Sequence, residues 1–230
     1  MAAGGSARAT DGATHVAKQA TTTIPIVFHL AEDPVQSELI ASFARPGGNL
    51  TGQVVGRYEE KALEMLKEVI PGVTRVACPC QNAGPAILAA AQELGLQFQC
   101  IAVQGPEDFD RFFTTARSAG ADAVLVHNVA WFFGHQKRLG ELTVENQLPA
   151  IGYRREFAEA GGLMSYGPRR EDIGKRLAWQ VDRILQGTKP ADLPVEQPMQ
   201  FELVLNLKTA QALGLTIPPT VLFQASEVIQ

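Results

Sequence analysis

The chain has 230 residues, 46% hydrophobic and 19% charged, which is ordinary globular usage with enough apolar material for a core that needs no metal or disulfide staple. Its net charge is −4, with basic residues scattered as singles and pairs, which argues against nucleic acid as a partner. No apolar run approaches the ~18 residues of a spanning helix, so no direct membrane insertion is expected, and the first twenty residues lack the order of an export signal.

In chain order, Gly4-Gly5-Ser6 has the small residues that follow a strand and precede a helix, and residues 10–19 form a weak helix. Ile24 to Phe28 is a compact apolar run of buried-strand type, with Pro25 near its start. Asp33 can cap a helix whose first position is Pro34 and whose apolar face is Val35, Leu39, Ile40 and Phe43. Arg45 to Asn49 stops that helix, and Leu50 to Val55 is a strand. A helix follows with Leu63, Leu66, Val69 and Ile70 on one side, ended by Pro71-Gly72.

The rhythm then repeats. Strands are expected at 75–80, 97–103, 123–126 and 149–152, and helices at 83–94, 106–118 and 133–146. The helix at 106–118 has Phe109, Phe112, Phe113 and Ala116 as its stripe. Strands alternating with helices of about 10–15 residues predict an α/β protein with parallel sheets and right-handed crossovers. Gly161 to Gly167 reads as a crossover that places Ser165-Tyr166 at a polar tip. Beyond it, Ile173, Leu177, Ala178, Val181, Ile184 and Leu185 mark a long amphipathic helix closed by Gly187. Pro190, Pro194 and Pro198 impose an extended passage, Phe201 to Leu205 is a strand, and 207–213 is a final helix.

The three cysteines are Cys78, Cys80 and Cys100, and the Cys-Pro-Cys spacing matches neither a redox nor a zinc motif. Residues 78 and 80 share one face of an extended strand, so the expectation is buried structural thiols. The four histidines lie far apart, no metal site is expected, and no cofactor is implied. Glycine-rich nucleotide loops, a nucleophile elbow and close carboxylate pairs are missing from the sequence, which points away from an enzyme.

In open parallel sheets, ligands bind beyond the carboxyl ends of strands, beside helix N-termini. The residues expected there are Gly5-Ser6, Asp33-Pro34, His127-Asn128 and Tyr153-Arg154, joined by Ser165-Tyr166; of these Gly5, Ser6, Asp33, Pro34, Asn128, Tyr153, Ser165 and Tyr166 are the candidate contacts. Hydroxyls, an amide, one carboxylate and aromatic rings suit a small zwitterionic solute, with Asp33 for an ammonium and Ser6 with helix N–H groups for a carboxylate. Asp33 and Ser6 could equally serve only as helix caps.

Several blocks resemble the ABC transporter substrate-binding proteins of the tryptophan/tyrosine-binding-like family. They are Thr23 to Phe28 with Asp33-Pro34, Ala44 to Gly52, Glu156 to Gly167, Arg183 to Gly187, Lys189 to Gln197, Phe201 to Ala210 and Ala212 to Pro218. The resemblance implies two doubly wound parallel-sheet lobes of periplasmic-binding-protein type I, with a small organic solute, an amino acid by expectation, held in a cleft between them. It implies residues 1–57 and 166–198 in the first lobe, and 58–165 in the second together with 199–230 as a crossover strand and C-terminal helix. Contacts to the solute would come from Gly5, Ser6 and Asp33 in one lobe and Asn128 and Tyr153 in the other, with Ser165-Tyr166 at the crossover. Permease and ATPase subunits would be the partners, and the periplasm the location.

Against the family pattern, Met1 to Ser6 aligns with the end of an internal strand, so the first lobe is expected to lack its export signal and first β-α elements. That would leave the strand near Ile24–Leu30 as an apolar edge. Without a signal, and with thiols that the cytosol tolerates, a cytosolic ligand-sensing domain or a non-functional truncated remnant are the alternatives.

Overall fold

The computed structural model describes residues 9–30, 33–55, 58–80, 83–126 and 130–230, with backbone alone for 9–11, 130, 131 and 133. The chain divides into two compact units, Met1–Gly56 with Pro168–Phe201 and Arg57–Gly167 with Glu202–Gln230. Each has its own core.

The first unit contains helix α1 (Ala9–Ala20) and the parallel strands β1 (Ile26–Leu30) and β2 (Leu50–Val54). Phe28, Leu30, Leu39, Ile40, Leu50, Val54 and Val195 form its core. The strands lie unusually close at Gly52. A Cβ there would fall 2.7 Å from the Phe28 backbone nitrogen and still nearer its carbonyl oxygen, so only glycine fits. The Asn49 amide donates to the carbonyls of Thr21 (3.2 Å) and Ile24 (2.7 Å), tying the α1–β1 connection to the start of β2. Buried Thr51 donates its hydroxyl to Leu193 O (2.9 Å), which fastens the Pro-rich return passage. Among the described residues β1 pairs with β2 alone.

The structure departs from two expectations for this unit. The helix expected after Asp33 is a series of turns. Asp33 does cap, its Oδ1 accepting from Val35 N (2.8 Å) and Gln36 N (3.3 Å), but Glu38 then takes a left-handed conformation (φ 57°). The Lys18 ammonium donates to the carbonyls of Glu38 (2.6 Å) and Leu39 (3.1 Å), groups a continuing helix would have used itself.

The second departure concerns helix α7, Arg170–Leu185, which forms as expected but whose apolar stripe is only partly covered. Of that stripe, Ile173 is buried and Leu177 and Ile184 half-buried, while Ala178, Val181 and Leu185 are exposed, Leu185 to 81%. A 16-residue helix is about 24 Å long. Among the described residues this unit's sheet has two strands, about 5 Å apart, too narrow to cover such a stripe.

The second unit holds a seven-stranded sheet. In chain order its elements are α2 (Tyr58–Val69), β3 (Arg75–Pro79), α3 (Pro85–Glu93), β4 (Gln97–Ile101), α4 (Phe109–Ser118), β5 (Ala123–Leu125), α5 (Gln136–Glu145), β6 (Ala150–Gly152), α6 (Arg155–Glu159) and β7 (Met164–Pro168). After α7 come β8 (Phe201–Asn206), α8 (Leu207–Ala212), α9 (Pro219–Gln224) and β9 (Glu227–Ile229). The strand order is β4-β3-β5-β6-β7-β8-β9, parallel wherever the register is defined. The α4 stripe of Phe109, Phe112, Phe113 and Ala116 is fully buried against Val124, Leu139 and Phe157. Each phenylalanine contributes roughly 2–3 kcal/mol by leaving water. Helices α6 and α9 and strand β9 had no counterpart in the sequence reading.

The cysteine expectation is corrected as well. Cys80 and Cys100 form a disulfide, their Cα atoms 5.1 Å apart, and Cys78 is a buried thiol. Cys78 lies opposite Cys100 in the β3–β4 register, but the bond is made from Cys80, just past the end of β3. A disulfide removes the argument that this chain's thiols suit the cytosol.

Candidate functional site

In the second unit the chain at the carboxyl ends of β5 and β6 meets the first turns of α2. Helix α2 forms because Ala62, Leu63, Met65, Leu66 and Val69 fall on one buried face, with Glu59 and Glu60 in the first turn complementing the helix dipole. Its first residue, Tyr58, is also buried. The Tyr58 ring stands edge-on to that of Tyr153, with centroids 4.9 Å apart and planes at 83°. Its hydroxyl donates a long hydrogen bond (3.4 Å) to Val126 O, the carbonyl just beyond β5.

Tyr153 follows β6 directly and is 9% exposed. It is braced from β7 by Gly167, where a Cβ would sit 3.3 Å from the Tyr153 ring and overlap its carbonyl oxygen. Burial pushes the hydroxyls of Tyr58 and Tyr153 above the usual tyrosine value; Glu59 adds to the rise at Tyr58, and Arg154 partly offsets it at Tyr153. Burial also raises Tyr166, against the lowering effect of Lys61, with Glu64 raising it further. All three tyrosines are therefore neutral hydroxyls at neutral pH.

Ser165 and Tyr166 do not act as one tip. Successive side chains of a strand point to opposite faces. Tyr166 lies close enough to α2 to feel Lys61 and Glu64, which pair at 2.7 Å, whereas Ser165 is beside Gly152 in the register and 2% exposed. On the first unit, Asp33 is half-buried with one oxygen committed to its turn, while its other oxygen has no hydrogen-bond partner among the described residues and could meet an ammonium. Pro34 is buried, and its carbonyl accepts from Leu39 N (2.8 Å) and Ile40 N (3.1 Å). Gly5, Ser6 and Asn128 lie outside the described residues.

A separate open groove of about 620 Å³ belongs to the first unit and includes Gln53, Arg169, Arg176 and Glu196 in its lining, but none of the residues singled out from sequence. Its most prominent cation, Arg176, is already neutralised by a bidentate pair with Glu196 and lies 3.8 Å from the centre of the Trp179 ring. We therefore place the candidate chemistry at the strand ends. Among the described residues no group of three His, Cys, Asp or Glu could hold a metal ion, and no helix is long and apolar enough to cross a membrane.

Sequence reasoning missed Tyr58 and Lys61. Both lie on α2, which was read for its apolar stripe alone. The available signal was an aromatic residue opening a helix just after a chain crossover.

Comparison with known proteins gives a consistent result. The family model for "ABC transporter substrate binding protein" matches residues 5–229. A tyrosine-binding protein of Clostridioides difficile is 21% identical over 214 residues, covering 86% of this chain and 59% of that protein, so the chain spans less than two thirds of this relative. A Streptococcus pneumonia ABC domain solved in complex with L-Trp superposes with a TM-score of 0.84 at 26% identity, covering 96% of this chain and 76% of the other. A conserved domain protein of Vibrio cholerae gives 0.84 at 26% identity, covering 94% and 75%. With an α/β fold dominated by parallel sheet and a match over nearly its whole length, the chain belongs to the ABC transporter substrate-binding protein family.

Proposed function

We propose that this protein captures an amino acid with an aromatic side chain and presents it to the permease and ATPase subunits of an ABC importer. The observation that carries this reading is the family match over residues 5–229, joined to relatives that are named for tyrosine or were solved with L-Trp. The strand-end chemistry suits such a solute. Tyr153, just past β6, offers a neutral aromatic ring with Tyr58 packed behind it, and Asp33 has a carboxylate oxygen for an α-ammonium. Gly5, Ser6, Asn128, Ser165 and Tyr166 complete the proposed set. The role is binding rather than turnover. The Cys80–Cys100 disulfide favours an oxidising compartment such as the periplasm.

Micromolar affinity, about −8 kcal/mol, suffices for capture. At a hundred times Kd a ligand stabilises the folded state by about 2.7 kcal/mol. Thermal unfolding of the full chain with each of the twenty amino acids at millimolar concentration tests the reading. The midpoint should rise with L-tryptophan or L-tyrosine and stay fixed with Asp, Glu and Lys. A midpoint that no aromatic amino acid moves overturns the proposal.

A further inference from the structure

We propose that Tyr58 is the positioning residue of this site: it sets the orientation of Tyr153 and thereby the affinity for an aromatic solute. The inference rests on the amino-acid-binding reading above and adds a residue that neither motif nor likeness marks.

Tyr58 differs from the other buried residues of α2, which are Ala62, Leu63, Met65, Leu66 and Val69 and have only apolar contacts to make. Filling the same space would require only a leucine or phenylalanine. Instead the first residue of α2 reaches two neighbouring strands at once. Its hydroxyl goes to the carbonyl of Val126 beyond β5, and its ring edge meets Tyr153 beyond β6. Those two strands are adjacent in the sheet, with Val124 opposite Ala150 and Leu125 opposite Ile151. One side chain therefore fixes the spacing of two strand ends at the place where parallel sheets bind ligands. Gly167 also packs against Tyr153, since a Cβ there would overlap its carbonyl oxygen and lie 3.3 Å from its ring. Packed by an aromatic ring and a bare glycine, Tyr153 has little freedom to turn, and a ligand meeting it loses little by ordering it.

The test is a double-mutant cycle read by calorimetric titration with L-tryptophan, on the full chain, with thermal melts of every variant. Tyr58→Leu should weaken binding roughly 2- to 12-fold, the range expected for loss of one aromatic pair. Tyr58→Phe keeps the ring against Tyr153 but loses the bond to Val126 O, so its loss should fall between the parent protein and Tyr58→Leu. In a Tyr153→Ala background, Tyr58→Leu should have no further effect on Kd. A purely structural role would lower the melting point of Tyr58→Leu and leave Kd within twofold, which overturns the inference. Additive losses in the double variant overturn it too, because Tyr58 would then act by another route. If the parent protein binds neither L-tryptophan nor L-tyrosine, the amino-acid reading itself fails and takes this inference with it. Parent binding with an inert Tyr58 removes the inference alone.

Discussion

The Cys80–Cys100 bond offers the sharpest test of the second unit, because its contribution follows from chain geometry. It closes a loop of 20 residues that contains α3 and joins β3 to β4, which is an edge strand of the sheet. In the chain-entropy treatment, closing such a loop removes about 11 cal/mol/K from the unfolded ensemble, or about 3 kcal/mol at 25 °C. For a protein of this size each kcal/mol moves the melting temperature by roughly 2–4 °C, so reduction should lower it by roughly 6–12 °C. Cys100 is half-buried, so Cys100→Ser leaves little cavity and reports mainly the lost cross-link. Urea unfolding of the parent protein and Cys100→Ser, each with and without a phosphine reductant, measures the difference. The reductant should bring the parent protein to the variant's midpoint and leave the variant unmoved. A variant within 1 kcal/mol of a parent protein whose bond is verified by mass would refute the entropic argument.

Two further outcomes follow from local geometry. Asp122 Oδ2 accepts from Thr74 N (2.9 Å), Thr74 Oγ1 (2.9 Å) and Arg75 N (2.8 Å); burial raises its pKa, but these hydrogen bonds prevail and the net shift is downward. Its contribution is therefore present above the unfolded value near 3.9 and lost as pH falls through the lower folded value. Asp122→Ala should cost roughly 1–3 kcal/mol at pH 7, and the gap to the parent protein should close progressively below about pH 4; a pH-independent gap in denaturation midpoints contradicts this. On α7, Ile173→Ala should cost roughly 2–5 kcal/mol, whereas Leu185→Gln should change stability by less than about 0.5 kcal/mol; equal losses would mean the whole apolar stripe is covered in solution.

What could be read from sequence was what local pattern decides. The α4 stripe needed only four apolar residues at helical spacing, and a parallel sheet to receive them followed from the strand–helix alternation. Failures came where distant groups intervened. Asp33 and Pro34 form a sound helix start, yet Lys18, from a helix fifteen residues earlier, takes the carbonyls that would extend it. The α7 stripe has the right period, but period does not say how wide a sheet lies beneath it. Cys80 and Cys100 meet because β3 and β4 are neighbours in the sheet, a non-local property that spacing does not encode. Of the proposed site, Asp33 and Tyr153 were legible as a polar and an aromatic residue just past strands, and Tyr166 as an aromatic in the crossover stretch that forms β7. Tyr58 was not, because a tyrosine on a helix's buried face has the same pattern as core.

The blocks that bear the family likeness include side chains with internal structural partners. Asn49 and Thr51 bind backbone carbonyls within the first unit; in the second, Asn206 caps α8 through Thr209 N (3.0 Å) and donates to Ala158 O (2.8 Å). Gly52 and Gly167 exist for close backbone approach. Such residues satisfy groups that any member of this fold must satisfy, whatever it binds. Likeness in these blocks therefore speaks largely to architecture, while on the proposed reading Tyr153, which lies between them, is the aromatic group that meets the solute. The two classes should separate in one experiment. Thr51→Val removes the donor to Leu193 O from a fully buried position and should cost roughly 1–3 kcal/mol of stability while leaving Kd for L-tryptophan unchanged. Tyr153→Ala should do the reverse in emphasis, weakening tryptophan binding more than it would weaken binding of an aliphatic amino acid. If Thr51→Val altered Kd as strongly as Tyr153→Ala, the separation of scaffold from site would be wrong.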